Sequence, residues 1–458
     1  MPPDARIATG LIRRHAVPGP RYTSYPAATC FTDAYTPADA LDDLRADRAE
    51  NPGAPVSLYV HLPFCRSLCW YCGCNTIVSR DPADADRYLD DIGREIALVA
   101  GEAGARKFGQ LHLGGGTPTF LDAGRLRRLA GLVRARFDAE AGAEISVEVD
   151  PRHLVAEQAG ALAEAGFNRA SLGVQDTAPA VQKAIHREQP HALNLAAAAL
   201  LRAAGIRALN VDLIYGLPGQ TPAGFARTLE DALELSPSRL SLFGYAHVPW
   251  LRPAQKLLER AGLPPPEARL ELFALAHERL LAAGYVDIGL DHFARPDDEL
   301  ALARANGTLH RNFQGYSTRA GASLIGLGVT AISSTRTSHR QNFRDWARHR
   351  AALDAGRLPV ERGLRLTAED LRRREIIMRV MCDRRLDFAA LSAAIGGDFE
   401  RDYARELAGL ADLEADGIVK TGGGTLEVTE RGLPLLRVVA MRFDARHKPG
   451  PNRHAMTV

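Results

Sequence analysis

Residues 56–74 read VSLYVHLPFCRSLCWYCGC, a strand-like run that leads at once into four cysteines. Their spacing is Cys65-x3-Cys69-x2-Cys72-x-Cys74, whereas the other two of the six cysteines in this chain of 458 residues are isolated. Several sulfur ligands on one loop after a strand form a concentrated metal-binding signal. The chemistry of the chain is therefore expected at this loop.

Thiolates separated by three and then two residues can surround one face of an iron–sulfur cube. Three ligands leave the fourth iron without a cysteine from the triplet, so that this iron can bind and reduce a small molecule. Cys65, Cys69 and Cys72 are the predicted ligands. A cluster held by three cysteines does not need Cys74, whose role stays open.

Two other kinds of cysteine site fit the sequence less well. Disulfides belong to oxidising compartments, and the chain begins Met1-Pro-Pro-Asp-Ala-Arg6 without the charged and apolar regions of a signal peptide. We therefore expect a cytoplasmic protein. Structural zinc sites use two separated pairs of ligands, and Cys30 and Cys382 do not supply a second pair.

Composition indicates a large globular protein with more than one domain. The chain is 46% hydrophobic and 24% charged, with a formal net charge of +2, so a nucleic-acid surface is not expected as its main feature. No apolar run approaches the roughly 20 residues that cross a bilayer, and no membrane partner is expected. The length fits an α/β core with a smaller added domain.

Strand-like and helix-like segments alternate along the first half of the chain, which predicts parallel strands joined by right-handed crossovers. Gly166 and Gly205 stand where helix C-termini favour a residue at positive φ. Six units predict an α/β fold, an incomplete (β/α)6 TIM-like barrel. The predicted strands are Val56–His61, Phe108–Leu113, Glu144–Asp150, Ala170–Asp176, Ala208–Tyr215 and Arg239–Ala246. The predicted helices are Ala85–Val99, Arg125–Phe137, Ala156–Ala165 and Ala192–Ala204.

These strands alternate polar and apolar residues. In the run Glu144–Asp150, the even positions are polar or acidic and the odd positions are Ile or Val, so the two kinds of side chain lie on opposite faces. Helices outside the barrel would cover the apolar faces, and the polar faces would converge inside. An antiparallel sheet with one solvated face also alternates, but the alternation of strand and helix favours a polar cavity that holds a polar cofactor or substrate.

A glycine run, Gly114-Gly-Gly-Thr-Pro118, follows the second predicted strand. Glycines let the backbone approach a ligand closely, and proline stiffens the exit of the loop. A tight strand–helix turn would also explain the run. Its functional value comes from its position one strand away from the cysteines.

Together, the Tyr59–Cys72 run, the glycine loop, Glu148 and Gln175-Asp176 resemble the radical S-adenosylmethionine (SAM) superfamily. Further runs are similar to its family of oxygen-independent coproporphyrinogen III oxidases, from about residue 20 to near the C-terminus. These runs are Pro20–Pro26, Cys72-Gly-Cys74, Asp212–Pro218, Asp291–Asp298 and His310–Tyr316.

The resemblance implies a [4Fe-4S] cluster on Cys65, Cys69 and Cys72, with SAM on the open iron and Cys74 outside the ligand set. It also implies two SAM molecules side by side. Positions matching contacts to the first are Tyr59, Tyr71, Gly115, Glu148 and Ile332. Positions matching contacts to the second are Gly116, Thr117, Gln175, Arg187, Asp212 and Ala246.

The implied reaction begins when the reduced cluster cleaves SAM to a radical, which removes a hydrogen atom from the β-carbon of a propionate. Loss of carbon dioxide and an electron leaves a vinyl group, and two such events convert coproporphyrinogen III into protoporphyrinogen IX. No side chain is expected as a catalytic acid or base. The partners expected are this tetrapyrrole, an electron donor and an electron acceptor, both unidentified, and the chain is expected to be a monomer.

A substrate with four carboxylates needs fixed cations, and arginine suits carboxylates better than lysine. Arg21, Arg295 and Arg311 lie in the family-like runs. For each of them a solvated or structural role is the alternative, so none is assigned to catalysis.

The expected domains are an arm over residues 1–54, the barrel with extensions over 55–355, and a helical domain over 360–458. In the last, Thr367-Ala-Glu-Asp370 predicts a capped helix through Met381, and Ile418–Val428 predicts a hairpin. This winged-helix-like pattern is typical of nucleic-acid binding, yet residues 360–458 carry 17 Arg and Lys against 16 Asp and Glu. We expect a lid over the open side of the barrel, with Cys382 as a buried thiol.

Two other functions remain as alternatives. Relatives that keep the cysteine motif but lack oxidase activity bind or deliver haem; the Arg21–Tyr25 run and Cys72-x-Cys74 favour the enzyme. A zinc-stabilised regulatory module built on the C-terminal domain is the second alternative, and the charge balance disfavours it.

Overall fold

The structure, a computed structural model, describes residues 9–448 and 455–457. The expectation about Met1–Arg6 therefore lies outside the described residues. In chain order the strands are β1 Val56–Leu62, β2 Phe64–Cys65, β3 Ile77–Val78, β4 Phe108–Gly115, β5 Ala139–Val149, β6 Arg169–Gln175, β7 Ala208–Tyr215, β8 Arg239–Gly244, β9 Val286–Gly289, β10 His292–Ala294, β11 His310–Asn312, β12 Gly315–Ser317, β13 Leu324–Leu327, β14 Ile332–Ser334, β15 Ser338–Asn342, β16 Val360–Arg365, β17 Arg385–Asp387, β18 Val419–Gly422 and β19 Thr425–Val428.

Helices fill most of the intervals between these strands. In chain order they are α1 Thr9–His15, α2 Pro37–Glu50, α3 Pro82–Ala103, α4 Ala123–Arg134, α5 Ala156–Glu164, α6 Pro179–Ala184, α7 His191–Ala203, α8 Pro222–Glu234, α9 Lys256–Arg260, α10 Pro266–Ala282, α11 Glu299–Ala305, α12 Trp346–Asp354, α13 Ala368–Asp383, α14 Phe388–Ile395, α15 Phe399–Asp402, α16 Ala404–Ala408, α17 Ala411–Ala415 and α18 Leu436–Met441. None of these helices has the length and apolar character needed to cross a membrane.

One sheet of 12 strands dominates the molecule, in the order β16-β15-β14-β13-β1-β4-β5-β6-β7-β8-β10-β9. The six predicted strands lie at its centre and all pair in parallel. The sheet ends at β16 and β9 without closing on itself, so the prediction of an open, incomplete barrel is confirmed. Gly166 and Gly205 have φ of 89° and 101°, as expected at helix C-termini.

The sequence did not indicate the remaining strands of this sheet. β13 pairs in parallel with β1, and β14, β15 and β16 continue from it in antiparallel fashion. At the opposite end, β10 and β9 add to β8 in antiparallel fashion. These extensions carry the sheet past the six strands on both sides, and β16 lies in it although its residues fall within the predicted 360–458 domain.

Apolar side chains of the central strands pack against the outer helices. Ile145, Val147 and Val149 of β5 are buried in the same core as Leu89 and Ile92 of α3. The polar positions of β5 face the opposite way and line a cavity. The alternation read from the sequence therefore has the predicted orientation, with the apolar face towards the helices and the polar face inside.

The C-terminal part packs on the arm and the barrel through its own apolar core. Its helix α13 begins after Thr367 with a capping box formed by Thr367 and Asp370, as predicted. Strands β18 and β19 form the predicted hairpin, and β17 completes a small sheet in the order β17-β19-β18. Tyr22 and Tyr25 of the arm are buried in the core of this region.

Tyr88 fastens the outer helix α3 to the inner sheet. Its hydroxyl donates to the carbonyl oxygen of His61 at 2.8 Å and accepts from the N–H of Val329 at 2.9 Å, in a fully buried position. We expect Tyr88→Phe to lower the free energy of unfolding by about 1–3 kcal/mol, because two buried backbone groups lose this partner. Tyr285→Phe is the matched control, since it removes a single bond to Pro237 O. Equal urea midpoints for Tyr88→Phe and the wild type would contradict this account.

Candidate active site

The carboxyl ends of the central strands open into a cavity of about 460 Å³. All four clustered cysteines line it, together with polar side chains from the inner faces of β4 to β8. Most of the residues singled out from the sequence are brought together here. Those lining this cavity are Cys65, Cys69, Cys72, Tyr71, Gly115, Gly116, Thr117, Glu148, Gln175, Arg187 and Asp212.

The cysteine loop is held at both ends and in its middle. Strands β2 and β3 pair in parallel, with Phe64 opposite Ile77 and Cys65 opposite Val78. Between them, the N–H of Trp70 donates to Ile185 O at 3.0 Å. The backbone of the cysteine loop is therefore anchored at both ends and next to Cys69.

The sulfur atoms are too far apart for a single metal ion. Among the residues that the structure describes, the only group of three potential ligand atoms within 4.8 Å of one another is formed by His191, Asp231 and Glu234, away from the cysteines. Three thiolates on one zinc ion would lie about 4 Å apart, since each Zn–S bond is about 2.3 Å. An iron–sulfur cube, in which each thiolate binds a different iron, is compatible with these three free thiols.

Two arginines face the sulfur of Cys69. Arg187 Nη1 lies 3.6 Å and Arg152 Nη2 lies 3.8 Å from its Sγ atom. Asp150 pairs with both guanidinium groups, at 2.6 Å to Arg152 and 3.3 Å to Arg187. Burial opposes ionisation of Asp150, but the two cations hold its pKa well below the usual range. The two guanidinium groups therefore place positive charge beside the sulfur atom of a predicted cluster ligand.

Cys74 acts on Cys72 rather than pointing to a separate partner. Its thiol and its backbone N–H, the latter at 3.4 Å, both donate to Cys72 Sγ. These hydrogen bonds lower the pKa of Cys72 to about 7. The prediction that Cys74 stands outside the ligand set remains a prediction, and this contact gives it a role in supporting a neighbouring ligand.

The glycine loop packs closely on the strand that precedes the cysteines. A Cβ atom on Gly116 would lie 2.6 Å from the backbone of Pro63, and Gly115 has a φ of 112°. The loop's backbone N–H groups are already used: Gly116 donates to Leu62 O at 2.8 Å and Gly115 to Glu148 Oε2 at 3.0 Å. The glycines are thus required by close packing of the loop, which sets its distance from the cysteines.

Two carboxylates, Glu148 on β5 and Asp212 on β7, face the cavity with different electrostatic surroundings. Burial opposes the ionisation of Glu148, but hydrogen bonds from His112 and from Gly115 N–H keep the pKa of Glu148 below its ordinary value. Asp212 accepts from Ser171 Oγ at 2.6 Å, yet burial and the charge of Glu148 raise its pKa to about 6. A cation beside these two groups would be favoured by their negative charge.

Three residues expected at the site do not line this cavity. Tyr59 lies behind it, stacked on His112 with ring centroids 5.9 Å apart. Ile332 lies in β14 on the far side of β13. Ala246 lines a second cavity. It is connected to the first through Gln255, whose Nε2 donates to Ala246 O at 3.2 Å and to Tyr71 O at 2.9 Å. Tyr59 and Ala246 are thus linked to cavity-lining residues through His112 and Gln255.

The structure also adds residues that sequence reasoning did not assign. Arg152 follows Asp150 by two positions, and its place after the carboxyl end of a parallel strand was an available signal. Others come from the family-like runs in the second half of the chain, where no local pattern indicates a contact with the barrel interior. The additional cavity-lining residues include Arg152, His112, His292, Asn312, Gln314 and Tyr316.

Comparison with known proteins gives strong matches over nearly the whole chain. Residues 59–232 match the Radical SAM superfamily, and residues 366–435 match the HemN C-terminal domain. The oxygen-independent coproporphyrinogen III oxidase of Salmonella typhimurium is 43% identical over 435 residues, 95% of this chain and 94% of the relative. The Pseudomonas aeruginosa protein of that name is 42% identical, covering 97% of this chain and 96% of its own.

The chain belongs to the oxygen-independent coproporphyrinogen III oxidase family. A solved structure, described as coproporphyrinogen III oxidase (HemN) from Escherichia coli, a radical SAM enzyme, superposes with a TM-score of 0.90 at 41% identity, covering 96% of this chain and 98% of that one. As a radical SAM member of this oxidase family, the chain uses a [4Fe-4S] cluster and SAM. The iron–sulfur interpretation of the cysteines is thereby confirmed over structural zinc.

The individual ligands of this family member can be tested by substitution. We expect Cys65→Ser, Cys69→Ser and Cys72→Ser each to abolish the visible absorption of the reconstituted cluster, because each removes one of three thiolates. Cys74→Ser should retain that absorption and lose at most part of the activity. Cys382→Ser is the control, since this thiol is buried in another part of the molecule. Loss of absorption in Cys74→Ser would show that the fourth cysteine is a ligand.

Proposed function

We propose that this protein catalyses the oxidative decarboxylation of two propionate side chains of coproporphyrinogen III to vinyl groups. The product is protoporphyrinogen IX, an intermediate of anaerobic haem biosynthesis. The observation that carries the proposal is the placement of the cysteine triplet at the mouth of a polar cavity, in a chain that matches oxidases of this name over 95% of its length.

When bound, the reduced cluster and SAM supply the one-electron chemistry that removes a hydrogen atom from the propionate. The chain's own part is to bind, orient and keep water out. Cys65, Cys69 and Cys72 would hold the cluster, with the guanidinium groups of Arg152 and Arg187 beside the sulfur of Cys69. No side chain is assigned as a catalytic acid or base.

Two SAM molecules are part of the proposal. Tyr71, Gly115 and Glu148 would hold one beside the cluster, with Tyr59 and Ile332 supporting it from behind the cavity wall. Gly116, Thr117, Gln175, Arg187 and Asp212, which line the same cavity, would hold the other, together with Ala246 of the adjacent cavity. The acidic Glu148 and Asp212 suit the cationic sulfonium and ammonium groups of the two molecules.

The remaining partners follow from the reaction. One electron donor must reduce the cluster, and one acceptor must take the electron released with each carbon dioxide. The chain is proposed to work as a monomer in the cytoplasm, where thiols stay reduced; no disulfide joins any of its six cysteines, all of which are described. The C-terminal domain, residues 360–458, is proposed as a lid, and we propose no nucleic-acid or membrane partner for it.

The alternative in the same family is a haem-binding or haem-delivery protein without oxidase activity. Arg21 of the Arg21–Tyr25 run forms an ion pair with Asp291 from another family-like run. The run thus folds against the barrel and lies beside its carboxyl end, which suits a substrate-binding role.

Anaerobic reconstitution tests the function directly. With iron, sulfide, a reductant, an electron acceptor, SAM and coproporphyrinogen III, we expect two molecules of carbon dioxide and one of protoporphyrinogen IX per substrate molecule. Cys69→Ser should give neither product because it cannot hold the cluster. Cleavage of SAM by the wild type without any vinyl product would falsify the oxidase function and favour the haem-binding alternative.

Asp212 gives a pH-dependent test of the second SAM molecule. Its pKa of about 6 means that it is neutral at lower pH and becomes a carboxylate as the pH rises through 6. Because a cation binds the ionised form, SAM affinity at this site should strengthen between pH 5 and pH 7. Asp212→Asn should retain the cluster absorption, bind less SAM at pH 7 and show no such pH dependence. Full turnover by Asp212→Asn and Gln175→Ala would show that the second molecule is not required.

A further inference from the structure

A second cavity, of about 270 Å³, lies where the N-terminal arm, the ends of β7 and β8 and the C-terminal domain meet. Three arginines line it: Arg21 from the arm, Arg269 from α10 and Arg437 from α18. Asp291 is the one carboxylate among its described lining residues. Elements from three parts of the chain thus bring an excess of positive charge to one place, which we call the arginine pocket.

The arginines of this pocket differ in how far their charge is compensated. Arg21 pairs with Asp291. Arg269 Nη2 donates only to the carbonyl oxygen of Tyr245, at 3.0 Å, and its buried Nε has no acceptor among the described residues. Arg437 donates to the neutral carbonyl oxygens of Met456 and Thr457. Neither Arg269 nor Arg437 forms an ion pair within the described part of the chain.

The surroundings of the arginine pocket favour an anion. Burial and the neighbouring Arg21 lower the pKa of Arg437 to about 10, which means that the positive charge of Arg437 is less stable in this pocket than in water. Tyr215 also lines the pocket, and its hydroxyl group is a possible further donor. A carboxylate placed here could accept from Arg269 and Arg437 and from Tyr215, and it would restore the balance of charge.

The arginine pocket adjoins the reaction cavity. The guanidinium carbon of Arg21 lies 5.7 Å from the ring centroid of Phe243, and Phe243 lines the reaction cavity. Ala246 lines the pocket, and Gln255 joins its carbonyl oxygen to that of Tyr71 beside the cluster loop. A ligand in the reaction cavity could therefore extend a side chain into the pocket.

We propose that the arginine pocket binds the carboxylate of a substrate propionate that is not undergoing reaction. This inference rests on the proposed function, because that substrate carries four propionates and only one reacts at a time. A volume of about 270 Å³ is sufficient for a propionate arm. Paired guanidinium groups recognise carboxylates through two parallel hydrogen bonds. The pocket would thus fix which ring faces the cluster.

A purely structural role for these arginines is the main alternative. Arg437 does join the C-terminal segment to α18, and Arg21 joins the arm to the barrel. Arg269 is different, because its only acceptor is a carbonyl oxygen on the adjacent loop and its Nε is unpartnered. Arg269 is therefore the residue that discriminates between the two roles.

Substitution of Arg269 in the reconstituted holoenzyme tests the proposal. Arg269→Met should weaken the binding of coproporphyrin III, measured by fluorescence quenching, by roughly tenfold or more, since a charge-assisted hydrogen bond is lost. The KM for coproporphyrinogen III should rise, whereas the cluster absorption, the thermal midpoint and SAM binding should not change. Arg279→Met is the matched control, on the exposed face of the same helix where Arg279 pairs with Glu230. An unchanged dissociation constant in Arg269→Met would overturn the proposal.

Chemical labelling of the wild type covers the case in which the variant does not fold. Coproporphyrin III should protect Arg269 from phenylglyoxal, read by peptide mass spectrometry, and should leave Arg279 reactive. No protection would overturn the proposal, and so would protection by SAM alone, which would assign the carboxylate to methionine. If the wild type forms no vinyl product but coproporphyrin III still protects Arg269, the proposed function fails and the carboxylate site stands.

Discussion

Compensation of buried charge on the inner face of the barrel is the constraint on which the site depends. At the base of the cavity, Glu144 lies 3.1 Å from both Arg169 and Arg239, and Asp298 pairs with Arg239 at 2.8 Å. These charges are satisfied by one another, as buried ions must be. Towards the carboxyl ends of the strands the pairing becomes incomplete, and Glu148 and Asp212 face open space. The cavity thus has a closed ionic base and a mouth that attracts cations, next to the cysteines.

Much of this arrangement could be predicted from local sequence. The alternation of polar and apolar residues in β5 predicts which way its polar face points. Successive side chains of a strand point to opposite faces, so when helices cover the apolar face, the polar face must lie inside the barrel. The cysteine spacing predicts three cluster ligands and one iron without a cysteine ligand. The strands β9, β10 and β13 to β16 could not be predicted in the same way, since each has three to six residues and no clear alternation. Their pairing is decided by distant partners.

Long-range contacts also explain which predicted site residues lie outside the reaction cavity. Ala246 lies two residues after the end of β8, and nothing in its neighbourhood indicates that it lines the arginine pocket instead of the reaction cavity. Ile332 belongs to an antiparallel extension that the sequence did not reveal. Arg295, considered for the substrate carboxylates, is exposed and donates to Pro237 O at 3.1 Å. Arg311 is buried, with Nη1 unpartnered among the described residues. The sequence alone could not show that Arg295 is exposed whereas Arg311 is buried.

The two ends of the described chain meet beside the arginine pocket. Pro18 and Met456 form an antiparallel bridge, and Gly19 N–H donates to Ala455 O at 3.1 Å. During synthesis the cysteine loop leaves the ribosome long before residues 455–457 do, and domains fold in that order. The cluster-binding loop can therefore fold while this side of the barrel is still open. Iron and sulfide would therefore have access to the cysteine loop until residues 455–457 pair with the arm.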